Sequence, residues 1–166
     1  MNSDALVQQI GRHRRSLLVI DTNLLLLYFV GALRPGTIRS FKRTSKYSEE
    51  DFRLLAGVVG EFQRVQTTPH IFTEVSNLLG QRSEPDRTLL LGKLAEAAQQ
   101  WSEEYSPAKT LSNTPVFLRL GITDAAIASL RPGSCLVITD DDPLAGTLEK
   151  QNHHVIRFRE LQAVCL

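Results

Sequence analysis

The chain reads LLVIDTN at residues 17–23, where an unbroken apolar run ends on Asp21. A continuous run of this length, without polar alternation, is typical of a strand buried on both faces of a parallel sheet. A second run reads CLVIT at 135–139 and is followed by three aspartates at 140–142. Each of these two predicted strands therefore ends on acidic side chains, which is the most informative pattern in the sequence.

Helical patterns separate these strands from two shorter ones. Apolar residues recur at helical spacing in much of the chain, and the predicted helices span about 4–12, 22–32, 49–62, 69–79, 86–105, 123–130 and 143–151. Short strands are predicted at 65–68 and 154–158, and a loop at 107–115. Because strands alternate with helices, we predict a single domain over residues 1–166 with a three-layer α/β/α fold around a central, mostly parallel sheet.

Polar residues indicate where several of these helices begin. Thr22 and Asn23 are predicted to cap the helix after the first strand, and Thr123 is predicted to cap a later one. Thr68 followed by Pro69 is a favoured start for the helix between them.

Composition narrows the class of protein. The net charge of +1 gives no global field toward nucleic acid, so any polyanion contact must come from a local patch. No apolar run approaches the ~18 residues of a membrane helix, and the N-terminus does not read as a signal peptide. Cys135 and Cys165 show neither metal-ligand spacing nor a disulfide framework. We therefore expect a soluble, cytoplasmic domain without a membrane partner.

Two further acids lie on predicted helices. Glu74 lies roughly 100° from the centre of the apolar face of its helix, so it flanks the buried face. Asp124 lies in the first turn of a later helix. Ligands of open parallel sheets bind beyond the carboxyl ends of the strands, so all these acids can face one rim.

Converging carboxylates would suit a divalent metal ion. Mg²⁺ and Mn²⁺ take oxygen ligands, and a cation neutralises acids that would otherwise repel one another. Such an ion can activate water and stabilise charge on a phosphoryl oxygen. Each acid alone has a simpler interpretation, as a helix-terminal residue, a surface residue or part of a solvated turn. Their joint order and spacing favour a shared site.

The set of motifs resembles that of the PIN-domain nucleases, including the toxin members of type II toxin–antitoxin pairs. The matching pieces are DTN at 21–23, PHIFTEV at 69–75, GITDAAI at 121–127 and VITDD at 137–141. The resemblance covers about residues 17–160 and implies a parallel sheet flanked by helices. It also implies a metal-dependent endoribonuclease that acts on RNA, with a small antitoxin protein or a second copy of the chain as further partners.

The resemblance assigns roles to individual residues. Asp21, Glu74, Asp124 and Asp141 become the catalytic acids and the ligands of one or two Mg²⁺ or Mn²⁺ ions. The two aspartates that flank Asp141 leave this fourth assignment open. The implied chemistry is attack of a metal-activated water on the scissile phosphate, which leaves a 5′-phosphate and a 3′-hydroxyl.

Three polar residues are expected to support these acids. Thr139 matches the position whose hydroxyl orients the site in the resembling family. Thr22 and Asn23 directly follow Asp21, and we expect both to support it through hydrogen bonds.

Basic residues concentrate between the first two predicted strands. The segment 34–48 holds Phe41 and Tyr47 among five cations, namely Arg34, Arg39, Lys42, Arg43 and Lys46. Phosphate contacts supply much of the affinity for nucleic acids, and aromatic rings can stack on bases. We predict an RNA-guiding loop beside the acids, with a solvated surface loop as the alternative. A second basic cluster, RHRR at 12–15, precedes the first strand and belongs to the opposite end of the sheet.

Other functions stay open. A catalytically silent PIN-like scaffold for RNA or protein would share the fold, although all four acidic positions are kept here. A flap-type DNA nuclease would share the metal chemistry. A haloacid-dehalogenase-like phosphatase would want a second aspartate where this chain has Asn23, and a receiver domain would want a lysine after the last strand. Cleavage of RNA compared with DNA would separate the nucleases.

Overall fold

The computed structural model describes residues 3–165 and contains five strands in that range. The strands are β1 Leu17–Ile20, β2 Arg64–Thr67, β3 Ser102–Glu103, β4 Cys135–Thr139 and β5 His154–Arg157. They form one all-parallel sheet in the order β3-β2-β1-β4-β5. The longest fully buried strand, β4, therefore lies beside β1 in the middle of the sheet.

Ten helices within residues 3–165 surround this sheet. They are α1 Ser3–His13, α2 Thr22–Leu33, α3 Glu49–Gly60, α4 Pro69–Leu79, α5 Asp86–Gln100, α6 Ala108–Leu111, α7 Pro115–Leu120, α8 Ile122–Ala128, α9 Asp142–Lys150 and α10 Phe158–Cys165. Helix α2 packs against α3, α4 and α5, whereas α9 packs against α7 and α8. The predicted three-layer α/β/α fold with a parallel sheet is confirmed.

Helix α2 is apolar on every side because it lies between the sheet and other helices. Four consecutive leucines, 24–27, are each at most 1% exposed, as expected of a helix that is covered all round. Burial of each such side chain contributes about 1.5–3 kcal/mol to the hydrophobic stabilisation of the fold. This packing fixes the first residue of α2, and hence Asp21, against the sheet.

The register of β1 and β4 brings their ends together. Leu17 pairs with Cys135, and the pairing continues without a break to Ile20 and Ile138. One residue further on, the Asp21 backbone N–H still donates to the Ile138 carbonyl, at 3.1 Å. The acid after β1 therefore lies directly beside the residues that follow β4.

Two of the predicted helix caps are wrong, and one is confirmed. Helix α2 is capped by Asp21, whose side chain accepts from the Leu24 N–H at 2.9 Å, and not by the two polar residues after it. Helix α8 begins after Gly121, so Thr123 lies inside the helix. The Thr68 hydroxyl caps α4 as predicted, by accepting from the backbone N–H of Ile71 at 3.2 Å.

The predicted long helix at 86–105 is too long at its C-terminal end. Helix α5 ends at Gln100, and the ring of Trp101 stacks on Phe29 with 6.0 Å between centroids. The backbone then runs extended into β3, and Tyr105 is 67% exposed instead of lying on the buried face. A tertiary aromatic contact therefore overrides the helical spacing that the sequence continues.

Short helices are found in a predicted loop and at the end of a predicted strand. The predicted loop at 107–115 contains α6, and the predicted last strand gives way to α10 at Phe158. None of the helices in the described range combines the length and apolarity needed to cross a bilayer.

Candidate functional site

The four predicted acids line one cavity of about 350 Å³ at the carboxyl edge of the sheet. Asp21 caps α2 after β1, and Asp141 caps α9 after β4. Glu74 lies on α4, and Asp124 lies in the first turn of α8. Four separate elements thus bring their carboxylates to the same opening, where strand ends and helix starts of a parallel sheet meet.

Asp21 is the most firmly held of the four acids. It is 4% exposed, and its carboxylate accepts hydrogen bonds from the Leu24 N–H at 2.9 Å, the Asp140 N–H at 3.0 Å and the Thr139 hydroxyl. Burial, and then the nearby Asp140 charge, raise the pKa of Asp21, while the three hydrogen bonds oppose that rise. This carboxylate therefore has a fixed position at the base of the cavity.

The support expected from Thr22 and Asn23 goes elsewhere. The Thr22 hydroxyl donates to the Glu74 carboxylate at 2.8 Å, and the Asn23 amide donates to Asp140 at 3.4 Å. The expectation that both residues bond Asp21 is therefore wrong. The physical reason is that these two residues open α2, so their side chains point out toward α4 and the turn after β4.

Glu74 and Asp141 each use one oxygen in a protein hydrogen bond. The Glu74 Oε2 atom accepts from Thr22, and the Asp141 Oδ1 atom accepts from the Leu144 N–H at 2.8 Å. The Asp141 N–H in turn donates to the Thr139 hydroxyl oxygen at 2.9 Å. Because a carboxylate has two oxygens, each acid keeps one oxygen for another partner.

Asp124 faces its neighbours without compensation. Burial, followed by the negative charges of Asp141 and Glu74, raises the pKa of Asp124 to about 7. No hydrogen bond from the described residues offsets that rise. Asp124 is therefore the carboxylate most in need of a positive partner.

A glycine sets the direction from which Asp124 enters the cavity. Gly121 has φ +92° and ψ −179°, a conformation open almost only to glycine, and α8 starts at the next residue. Gly121 also lines the cavity, together with the apolar Leu120 and Ile122. This role of Gly121 was not predicted from the sequence, although its place before an apolar helix could have indicated it.

The structure separates the three aspartates after β4. Only Asp141 lines the cavity with the other three acids. Asp140 accepts from Lys46, Tyr47 and Asn23, while Asp142 pairs with the arginines at 157 and 159. Of the three aspartates, Asp141 is therefore the one that shares a cavity with Asp21, Glu74 and Asp124.

Lys46 and Tyr47 both bond the side chain of Asp140, a contact that was not predicted from the sequence. Both belong to the segment 34–48, and both donate to the Asp140 Oδ2 atom. The nearby Asp140 charge adds to burial in raising the pKa of Tyr47, so its hydroxyl stays a donor. Nothing in sequence spacing connects these residues with a carboxylate more than ninety positions away.

The carboxylates of the cavity are chemically suited to a hard divalent cation, although they lie too far apart in this structure to coordinate one. Carboxylate oxygens are the ligands that Mg²⁺ and Mn²⁺ prefer, and none of the residues lining this cavity is Lys or Arg. Within residues 3–165, however, no three His, Cys, Asp or Glu side chains are grouped closely enough to hold a metal ion. Binding an ion would therefore require side chains to turn inward, and Asp124 has no hydrogen bond that resists such a turn.

Neutralising Asp124 is expected to stabilise the cation-free protein above about pH 7. Folding raises the pKa of Asp124 from 3.8 to about 7, so the folded state disfavours the ionised acid. The contribution of Asp124 to wild-type stability therefore becomes more favourable as pH falls through this window. Because the group stays partly solvated, we expect Asp124→Asn to add about 1 kcal/mol near pH 8. Urea unfolding in EDTA, near pH 8 and near pH 4, measures the difference, which should vanish at the lower pH. If Asp124→Asn were less stable than the wild type near pH 8, the repulsion of Asp124 by Asp141 and Glu74 would be contradicted.

Comparison with protein-family models, with curated proteins and with solved structures gave no match for this chain. A function must therefore be inferred from the cavity and its residues.

Proposed function

We propose that this protein is a Mg²⁺- or Mn²⁺-dependent endoribonuclease that hydrolyses RNA phosphodiester bonds at the acidic cavity. One observation carries the proposal: Asp21, Glu74, Asp124 and Asp141 reach a single cavity from four different elements. Four acids without a cationic neighbour in the lining repel one another, and a bound divalent ion relieves that repulsion.

The chain's own residues divide the work of holding such a site. Asp21 supplies a fixed carboxylate, because three hydrogen bonds hold it. Glu74 and Asp141 each retain one oxygen free of the bonds to Thr22 and Leu144. Asp124, which no hydrogen bond from the described residues holds, is the acid that completes the set. When bound, a divalent cation lowers the pKa of a water and offsets charge on the phosphate.

RNA as the substrate follows from the resemblance to PIN-domain nucleases. The test is incubation of the purified chain with single-stranded RNA and, separately, with DNA of the same sequence, in Mg²⁺ or Mn²⁺. We expect cleavage of the RNA into products with 5′-phosphate and 3′-hydroxyl ends, and no cleavage in EDTA. DNA cleavage instead would favour the flap-type alternative. An absence of cleavage of either polymer in both metals would overturn the proposal.

A catalytically silent scaffold is the second candidate. It is favoured by the open arrangement of the carboxylates within the described residues and by the protein hydrogen bonds that three of them already make. This candidate predicts RNA binding without cleavage and without Mn²⁺ uptake.

If the nuclease is also a toxin with an antitoxin partner, expression of the wild type should arrest growth, and Asp124→Asn should relieve that arrest.

A further inference from the structure

The segment 34–48 is tied to the rest of the molecule at both ends. At one end, Arg34 pairs with Asp86 at 3.3 Å. In the middle of the segment, the Arg82 guanidinium lies over the Phe41 ring, 5.2 Å from its centroid. At the other end, Lys46 and the following tyrosine donate to Asp140. Although it lacks long helices, this segment is therefore an ordered part of the surface.

The interior of the segment is packed as well. Ile38 is fully buried, Phe41 is 6% exposed and Tyr47 is 3% exposed. The buried Thr44 hydroxyl donates to the Ile38 carbonyl at 2.6 Å, which closes the segment on itself. Both aromatic rings were expected to be available for stacking on bases, and their burial shows that this expectation is wrong.

Three cations of the segment remain directed to solvent. Arg39, Lys42 and Arg43 are all exposed, and none of them pairs with a carboxylate in the described part of the chain. The other two cations of the segment are engaged, Arg34 with Asp86 and Lys46 with Asp140. The exposed face of the segment therefore carries three charges that the fold does not use.

A short chain of hydrogen bonds joins the C-terminal end of the segment, at Lys46 and Tyr47, to the acidic cavity. Lys46 and Tyr47 bond the Asp140 side chain, and the Asp140 N–H bonds the Asp21 carboxylate at 3.0 Å. The C-terminal end of the segment is thus bonded to Asp140, the residue that precedes Asp141 in the chain and donates to Asp21. The RHRR cluster at 12–15 precedes β1, so it lies at the opposite edge of the sheet.

We propose that the exposed face formed by Arg39, Lys42 and Arg43 binds the phosphate backbone of single-stranded RNA and holds it at the acidic cavity. This inference rests on the proposed function. A cavity lined by four acids and no cation repels a polyanion, so affinity must come from a nearby cationic surface. The protein's net charge of +1 leaves no global attraction to supply it.

The chemistry of this face also defines the kind of recognition. With both aromatic rings of the segment buried, contact with RNA is through guanidinium and ammonium groups to phosphate. Binding through such contacts depends steeply on salt and little on base sequence. Recognition of a particular sequence would have to come from the cavity or from other surfaces.

The test is the affinity of the full chain for a labelled single-stranded RNA, measured in EDTA so that no cleavage consumes the probe. The variant combines Arg39→Gln, Lys42→Gln and Arg43→Gln, and leaves Lys46 intact because it bonds Asp140. We expect affinity to fall about tenfold or more at low salt, and the slope of log affinity against log salt to shrink by about 2. Fluorescence anisotropy across a salt series measures both quantities.

The matched control removes three exposed charges from the other edge of the sheet, with Arg12→Gln, Arg15→Gln and Arg131→Gln. Its net charge equals that of the first variant, so a purely global effect would weaken both equally. Equal RNA affinity of the two triple variants would overturn the proposed surface, as would unchanged binding by the first variant.

The two proposals fail in different ways. RNA cleavage in Mn²⁺ by a first variant with unaltered affinity would reject the surface and leave the nuclease standing. Binding that depends on this surface, without any cleavage by the wild type in Mg²⁺ or Mn²⁺, would reject the nuclease and leave the surface standing.

Discussion

Asp124→Asn is expected to reduce Mn²⁺-dependent RNA cleavage at least about 100-fold, since even residues that only orient metal ligands cost 10–100-fold when replaced. Asp124 lines the cavity and bears the repulsion of Asp141 and Glu74. The amide keeps the size of the side chain but cannot supply an anionic ligand. Initial rates on labelled RNA, compared at equal protein and Mn²⁺ concentrations, give the ratio.

The control for this substitution is Asp142→Asn. Asp142 lies outside the acidic cavity, and its carboxylate pairs at the surface with Arg157 and Arg159. Loss of exposed ion pairs costs about 0–1 kcal/mol, so cleavage should stay near the wild-type rate. If the two variants lost activity equally, Asp124 would have no special role. Asp124 is the better target than Asp21, whose carboxylate also caps α2 and anchors the turn after β4.

Thr139→Val is expected to damage both stability and cleavage. The buried hydroxyl donates to the Asp21 carboxylate and accepts from the Asp141 N–H at 2.9 Å, so it joins two of the four acids. Valine has nearly the same shape but leaves both groups short of a partner, at a cost of about 1–3 kcal/mol. Because the hydroxyl orients two proposed ligands, we expect cleavage to fall about 10–100-fold.

The control for the hydroxyl is Thr67→Val. Thr67 is also buried at the end of a strand, but its hydroxyl makes only a 3.5 Å contact to the Thr68 carbonyl and does not line the acidic cavity. Chemical denaturation and cleavage rates should both stay close to the wild type. Normal cleavage by Thr139→Val, together with normal stability, would contradict the role assigned to the Thr139 hydroxyl.

The centre of the fold could be predicted because its strands are buried on both faces. An unbroken apolar run leaves few alternatives, and the range predicted for β4 matches the observed Cys135–Thr139. The outermost strand on one side of the sheet could not be predicted in this way. The edge strand β3 has two residues, Ser102 and Glu103, and both are exposed, so no hydrophobic pattern marks it.

The predicted start of a helix was wrong where more than one nearby residue could act as the cap. Asp21 was predicted to end a strand and to be a candidate ligand, with a helix-terminal role as the simpler alternative, and its carboxylate does cap α2. Threonine is a residue type that often caps helices, but α8 begins before Thr123, directly after Gly121 with its positive φ. Residue preferences alone do not distinguish these cases, because the backbone direction decides which side chain reaches the first free N–H groups.

The four acids of the cavity were each identifiable from the sequence, but their support was not. Asp21, Asp124 and Asp141 lie at strand ends or helix starts, and Glu74 flanks the apolar face of its helix; sequence patterns report both kinds of position. The bonds of Thr22 to Glu74 and of Lys46 and Tyr47 to Asp140 depend on how separate elements pack. Long-range contacts of this kind leave no trace in local spacing.

The most direct measurement is anomalous diffraction from crystals of the wild-type protein soaked in Mn²⁺. We expect an anomalous peak between the carboxylates of Asp21, Glu74, Asp124 and Asp141, and its loss in Asp124→Asn crystals soaked in the same way. Crystals of the wild type with Mn²⁺ at other surface sites and none in this cavity would contradict the proposed metal-dependent nuclease.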